Sequence, residues 1–159
     1  MSVGVDESTY PGVEPAFTFV QPSYQLLVSR FEASDTRLTA LLTLIVTVTL
    51  GVPLFARNVN PLVDFHSRWF WAGLTFFSVA AISGVFGRIT GAVTLVNPSV
   101  LYDESLHKTD WEFKKDAVYR AGRHFEKNSK AIARKGVFAL VVTGALLAEV
   151  AMFAVWLAQ

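Results

Sequence analysis

Cysteine is absent from all 159 residues, which excludes disulfides, thiolate chemistry and cysteine-based metal sites. Lysine and arginine are absent from Met1 to Pro22. That stretch therefore lacks the basic start of a signal peptide, and no cleavage is expected. Net charge is only +1, too small a surplus to suggest a nucleic-acid partner. No proline occurs from Thr109 to Ala158, and no charge from Leu38 to Ala56. Signatures of catalysis are missing too. His66, His107 and His124 are dispersed without paired ligand spacing, and there is neither a nucleophile elbow nor a glycine-rich phosphate loop. The expectation is a non-enzymatic protein with no cofactor and no metal.

What is present is apolar and unevenly placed. Apolar residues make up 52% of the chain, which alone does not decide its class, but they are gathered into three blocks. Residues 1–22 hold Pro11, Pro15, Pro22 and three acids without a sustained period, and read as a flexible tail. Ser23 is a candidate N-cap. Tyr24, Leu27, Phe31, Ser34 and Leu38 then follow steps of three and four, an amphipathic helix leading into a first span at about 38–56. Nineteen uncharged residues cover a hydrocarbon core of about 30 Å. Asn58, Asn60 and Pro61 favour turns in the connection that follows. Trp69, Phe70 and Trp71 suit a membrane interface and open a second span at about 69–96, closed by Asn97 and Pro98. After a polar loop with Tyr102, Asp103 and Glu104, Thr109 and Glu112 match a capping box. The helix they start carries eight Lys and Arg between Lys114 and Lys135, and enters a third span at about 136–158.

The fold expected is all-α: a polytopic membrane protein whose residues 23–159 form three transmembrane helices with cytoplasmic helical extensions, one of them amphipathic over about 110–135. Met1 to Arg37 and Asn97 to Lys135 together hold eleven Lys and Arg, against Arg57 and Arg68 on the other side. The basic excess marks the cytoplasmic side, so the N-terminus is expected inside and the C-terminus outside the inner membrane.

Several residues stand out against this pattern. Glu149 lies thirteen residues beyond Gly136, roughly 20 Å into the third span. A carboxyl there is either a hydrogen-bonded link between helices or an ion-handling, pore-lining group, with Arg57 or Arg68 matching its depth. Arg88 falls near the cytoplasmic interface, where its side chain can snorkel. Thr36, Thr39, Thr43 and Thr47 share one side of the first span, where hydroxyls bond their own helix, pack against another helix or wet a channel. Trp111, Val118, Phe125 and Ile132 recur every seven residues and read as the packing stripe of the cytoplasmic helix. The positions three further on, Lys114, Ala121 and Asn128, are poor coiled-coil residues. The basic helix also suits anionic lipid headgroups. Membrane lipids and further copies of the chain, or subunits of a larger membrane complex, are the partners expected.

The order helix, span, outer loop, span, cytoplasmic helix, span resembles the Pycsar family of transmembrane antiphage effectors and, more loosely, the SLATT-type membrane domains of conflict systems. The residues behind the resemblance are Phe31-Glu32-Ala33-Ser34-Asp35 leading into Leu41-Leu42, and Asn128 to Lys135 entering the third span. It implies a homo-oligomer that impairs the inner membrane, as a pore or disruptor, in antiviral defence. The alternative expectation is an accessory or scaffolding subunit of a larger membrane complex.

Overall fold

The computed structural model describes residues 10–61, 63–91 and 107–159. It contains three helices, α1 (Val13–Val59), α2 (Arg68–Ile89) and α3 (Asp110–Leu157), and no strand occurs among the described residues. Each helix is long and apolar enough to cross a membrane. Met1 to Thr9, the expected stretch of the second span from 92 to 96, its Asn97-Pro98 stop, and Tyr102, Asp103 and Glu104 lie outside the described residues.

α1 starts ten residues ahead of the expected cap at Ser23. The helix therefore includes residues 13–22, the latter part of what reads in sequence as a flexible tail. Tyr10, Pro11 and Gly12 form the turn before it, with the Ala16 amide donating to Gly12 at 3.0 Å. Pro15 then sits in the first turn, where a missing amide hydrogen costs nothing, and Glu14 faces the positive end of the helix dipole. Pro22 is harder to accommodate, because it withholds a donor from the carbonyl of Thr18. Contacts with α3 hold the turns on its N-terminal side: Phe17 meets Phe113 edge-on at 6.4 Å, and Lys114 bonds Glu14 at 2.7 Å. The Ser23 hydroxyl donates to Phe19 at 2.8 Å, so it reinforces the helix and does not open it.

α3 begins as its cap predicts. The Glu112 amide donates to Thr109 Oγ1 at 3.3 Å, and the Thr109 amide donates to Glu112 Oε2 at 3.1 Å. From there the helix runs 48 residues without a break. α2 is shorter than its apolar block. Thr90 turns extended and Gly91 takes φ 93°, the left-handed conformation that ends helices.

The chain divides into two units. The first comprises Met1–Phe31 and Ala92–Ala131, the second Glu32–Gly91 and Ile132–Gln159. In the second unit α1 and α3 run in the same direction, since Asp35 meets Lys135 and Thr49 meets Glu149. α2 runs back between them. Its middle joins Ile45, Val142, Ala145 and Leu146 through Ala80. Beyond that layer, Phe65 and Phe70 pack on Phe153 and Trp156, with ring centroids 5.0 to 6.1 Å apart. The Trp156 indole donates to the Asp64 carbonyl at 2.8 Å and fastens the loop between α1 and α2.

α2 approaches its neighbours through glycine. A Cβ at Gly73 would lie 2.6 Å from the Phe153 ring, one at Gly84 2.5 Å from the tip of Leu42, and one at Gly87 2.7 Å from Cβ of Phe138. A leucine tip can turn aside, a ring edge less so, and a Cβ moves only with its backbone. We therefore expect Gly87→Ala to destabilise most, by about 1–3 kcal/mol, followed by Gly73→Ala, with Gly84→Ala least affected. Thermal unfolding of the three variants in mild detergent checks that order.

Candidate functional site

Two ionisable side chains of α3 are buried in the second unit. Lys135 is 1% exposed and pairs with Asp35, which is 35% exposed. Glu149, fully buried, meets Thr49: Thr49 Oγ1 lies 2.5 Å from Glu149 Oε1 and 2.9 Å from the Ile45 carbonyl oxygen. One hydroxyl hydrogen cannot serve both acceptors fully. A carboxyl that supplies its own hydrogen to Thr49 leaves the threonine hydrogen for Ile45, whereas a charged one competes for it. Glu149 Oε2 has no hydrogen-bond partner and is buried, so a full charge there would go unanswered.

Both pairs join residues 100 positions apart. Glu14 and Lys114, in the first unit, have the same spacing. Within that unit Lys114 also bonds Asp110 at 2.8 Å. The hydrogen bond to Asp110, then that to Glu14, holds its ammonium above the ordinary lysine value. Ala121 and Asn128 continue the line from Lys114 and are buried, as Lys135, Val142, Glu149 and Trp156 are in the second unit. The deepest seam of α3 is thus the seven-residue series expected to be a poor one. Of the expected stripe, Trp111, Val118 and Ile132 are half-buried, and Phe125 is 44% exposed. Trp111 lies 6.2 Å from the Tyr10 ring. An alanine lets two helices approach closely, while a polar residue at such a position demands a particular partner and so sets register.

The chain matches no family model, no curated protein and no solved structure.

The other sequence-derived candidates separate from this seam. Thr36, Thr39, Thr43 and Thr47 are exposed, and each hydroxyl donates to the carbonyl four residues earlier, at 2.8 to 3.0 Å. They form an outer face of α1 and do not meet Glu149. Arg88 is exposed in the last turn of α2, where its charge suits the carbonyl end of the helix. Neither Arg57 nor Arg68 is the partner of Glu149; Arg68 lies over the Trp69 ring at 5.1 Å. Thr49 takes that place. Thr49 lies off the threonine stripe, so the stripe does not reveal it. The usable signal was complementarity at one constant spacing: Glu14 with Lys114, Asp35 with Lys135, Thr49 with Glu149. Among the described residues, no three His, Asp or Glu side chains come together as metal ligands.

Thr49→Val strips Glu149 of its bond and is expected to cost about 1–3 kcal/mol. In Glu149→Gln the amide can donate to Thr49 in the acid's place, so its loss should be the smaller one; chemical denaturation of both variants measures the difference. A second test concerns the charged part of α3. The hydrogen bond from Lys130, then its charge, holds Glu126 below the ordinary glutamate value. A lowered folded value means stabilisation that is present above the ordinary glutamate pKa and fades as pH falls through the lowered one. NMR titration of the Glu126 carboxyl should show that value rising towards normal in Lys130→Met.

Proposed function

We propose that this chain is a non-enzymatic integral protein of the inner membrane, N-terminus cytoplasmic and C-terminus outside, which assembles with further copies of itself and acts by perturbing the membrane. One observation carries the reading: the three apolar helices cover little of one another. Within their most apolar windows only 17%, 22% and 33% is buried in the chain. Leu50, Leu54, Phe55, Ile82, Phe86, Leu140 and Leu147 all face outward. Apolar surface on that scale calls for lipid or another copy of the same surface.

The threonine face of α1 supports the assembly part. Its hydroxyls are satisfied within their own helix, so the face tolerates lipid and equally accepts a closely packed neighbour or, in a ring, water. A pore in this reading is lined by Thr39, Thr43 and Thr47 and not by Glu149, which turns inward. The resemblance to Pycsar-type effectors adds antiphage defence as the setting.

A second reading, an accessory subunit of a larger complex, draws on a different feature. The first unit has an apolar groove of about 380 Å³ between Phe19, Tyr24, Ala121 and Phe125. A groove of that character outside the spans fits a protein partner.

Counting copies by native mass spectrometry from nanodiscs, alongside dye leakage in expressing cells, tests these readings. The effector reading expects a homo-oligomer and leakage, with Thr39→Leu/Thr43→Leu/Thr47→Leu abolishing leakage while leaving insertion intact. A single copy in a sealed membrane overturns it, and stoichiometric co-purification with another membrane protein favours the subunit.

A further inference from the structure

Three arginines stand at one level of the second unit, one on each helix: Arg37 on α1, Arg88 on α2 and Arg134 on α3. Gly87 defines that level. A Cβ on it would lie 2.7 Å from Cβ of Phe138 and 3.3 Å from Cδ1 of Leu38. Arg88 and Arg37 are the chain neighbours of Gly87 and Leu38, and Arg134 lies one turn before Phe138. The Asp35–Lys135 pair crosses the unit within a turn of the same height. All three arginines are exposed. None has a carboxylate partner among the described residues.

On one side of this level the helices are nearly without charge. Leu38–Ala56 and Trp69–Gly87 have none, and Gly136–Trp156 has only Glu149. The dipole of α2 accounts for a cation at Arg88. It does not account for cations at the same height on two helices that begin elsewhere. Arg37 and Arg134 lie within helices of 47 and 48 residues, far from any terminus.

We propose that Arg37, Arg88 and Arg134 form a girdle that binds the phosphates of anionic phospholipids in the cytoplasmic leaflet. The proposal rests on the membrane-spanning reading above. Its argument is geometric: the three side chains are exposed on three different helices, so a small soluble anion meets one at a time. A flat layer of phosphates meets all three together. Guanidinium groups suit this role, since each presents a planar fork of donors to phosphate oxygens. Lys135 is at the same height but is buried and committed to Asp35, so it takes no part.

The test reconstitutes the full chain in vesicles of phosphatidylcholine, with or without phosphatidylglycerol. Flotation on a density gradient reports insertion, and native mass spectrometry after gentle extraction counts the lipids retained. Each arginine is expected to contribute about a fivefold preference for phosphatidylglycerol, and the three together on the order of a hundredfold. Arg37→Gln/Arg88→Gln/Arg134→Gln should insert normally and lose that preference. Replacing the same three by lysine should keep most of it. Arg123→Gln/Lys127→Gln, a control on charged residues two to three turns earlier on α3, should keep it entirely. Retention of the preference by the triple glutamine variant overturns the proposal, as does an equal loss in the control. Wild-type protein that floats with both vesicles and prefers neither lipid overturns the girdle alone. Protein that floats with neither overturns the membrane reading and the girdle with it.

Discussion

A carboxyl and an ammonium buried in one helix leave the neighbouring helix few places to stand. Glu149 needs a hydroxyl or an amide opposite it, and Lys135, fourteen residues earlier on the same helix, needs a carboxylate. α1 offers Thr49 and Asp35 at the matching interval of fourteen residues, so one alignment satisfies both. Sliding α1 by a single turn would set Ile45, Val46, Val52 or Pro53 opposite Glu149, none of which has a side-chain hydrogen bond to offer, at a cost of about 1–3 kcal/mol. Apolar contacts discriminate far less, because one leucine or valine packs against α1 much as another does. Register in the second unit is set by polarity and cohesion by apolar area.

The interior of this unit mixes large apolar side chains such as Leu38, Ile45 and Val142 with small and polar groups, while much of the apolar mass stays outside. Ala80, Ala139, Ala145 and the three α2 glycines line the contacts, while Leu140 and Leu147 of α3 face away. This is the arrangement that close helix packing favours when the surroundings are themselves apolar, since burying a leucine then gains little and backbone proximity gains more. The aromatic end, where Trp156 and Phe70 hold the short loop at Asp64, is the exception and anchors that loop to the helices.

Much of this was legible in the chain itself. Three apolar blocks mark three helices, the Thr109–Glu112 pattern marks the start of α3, and the sudden end of charge at Lys135 separates two kinds of surface. Two features were not legible from local rules. Pro22 reads as the end of a tail ahead of a helix start at Ser23, yet α1 passes through it, because the aromatic and ionic contacts of Phe17 and Glu14 with α3 outweigh a local preference. Apolar repetition points to the series from Trp111 to Ile132 as the seam of α3, whereas burial follows the neighbouring series through Ala121, Asn128, Lys135, Val142, Glu149 and Trp156. In a helix that is apolar on most sides, hydrophobicity no longer distinguishes inside from outside. Pairing of polar groups at a fixed separation does, and that is a property of two segments read together.

The separation of 100 residues also sets an order of events during synthesis. At about 5–20 residues per second, α1 is complete for several seconds before its partner on α3 has been made. The member of each pair that waits is the inexpensive one. Thr49 already bonds the Ile45 carbonyl of its own turn, and Asp35 keeps part of its surface in contact with solvent. Lys135 and Glu149, which are costly to bury alone, emerge last, when the groups that receive them are already in position. The chain never has to carry an orphaned buried charge while it waits for its other half.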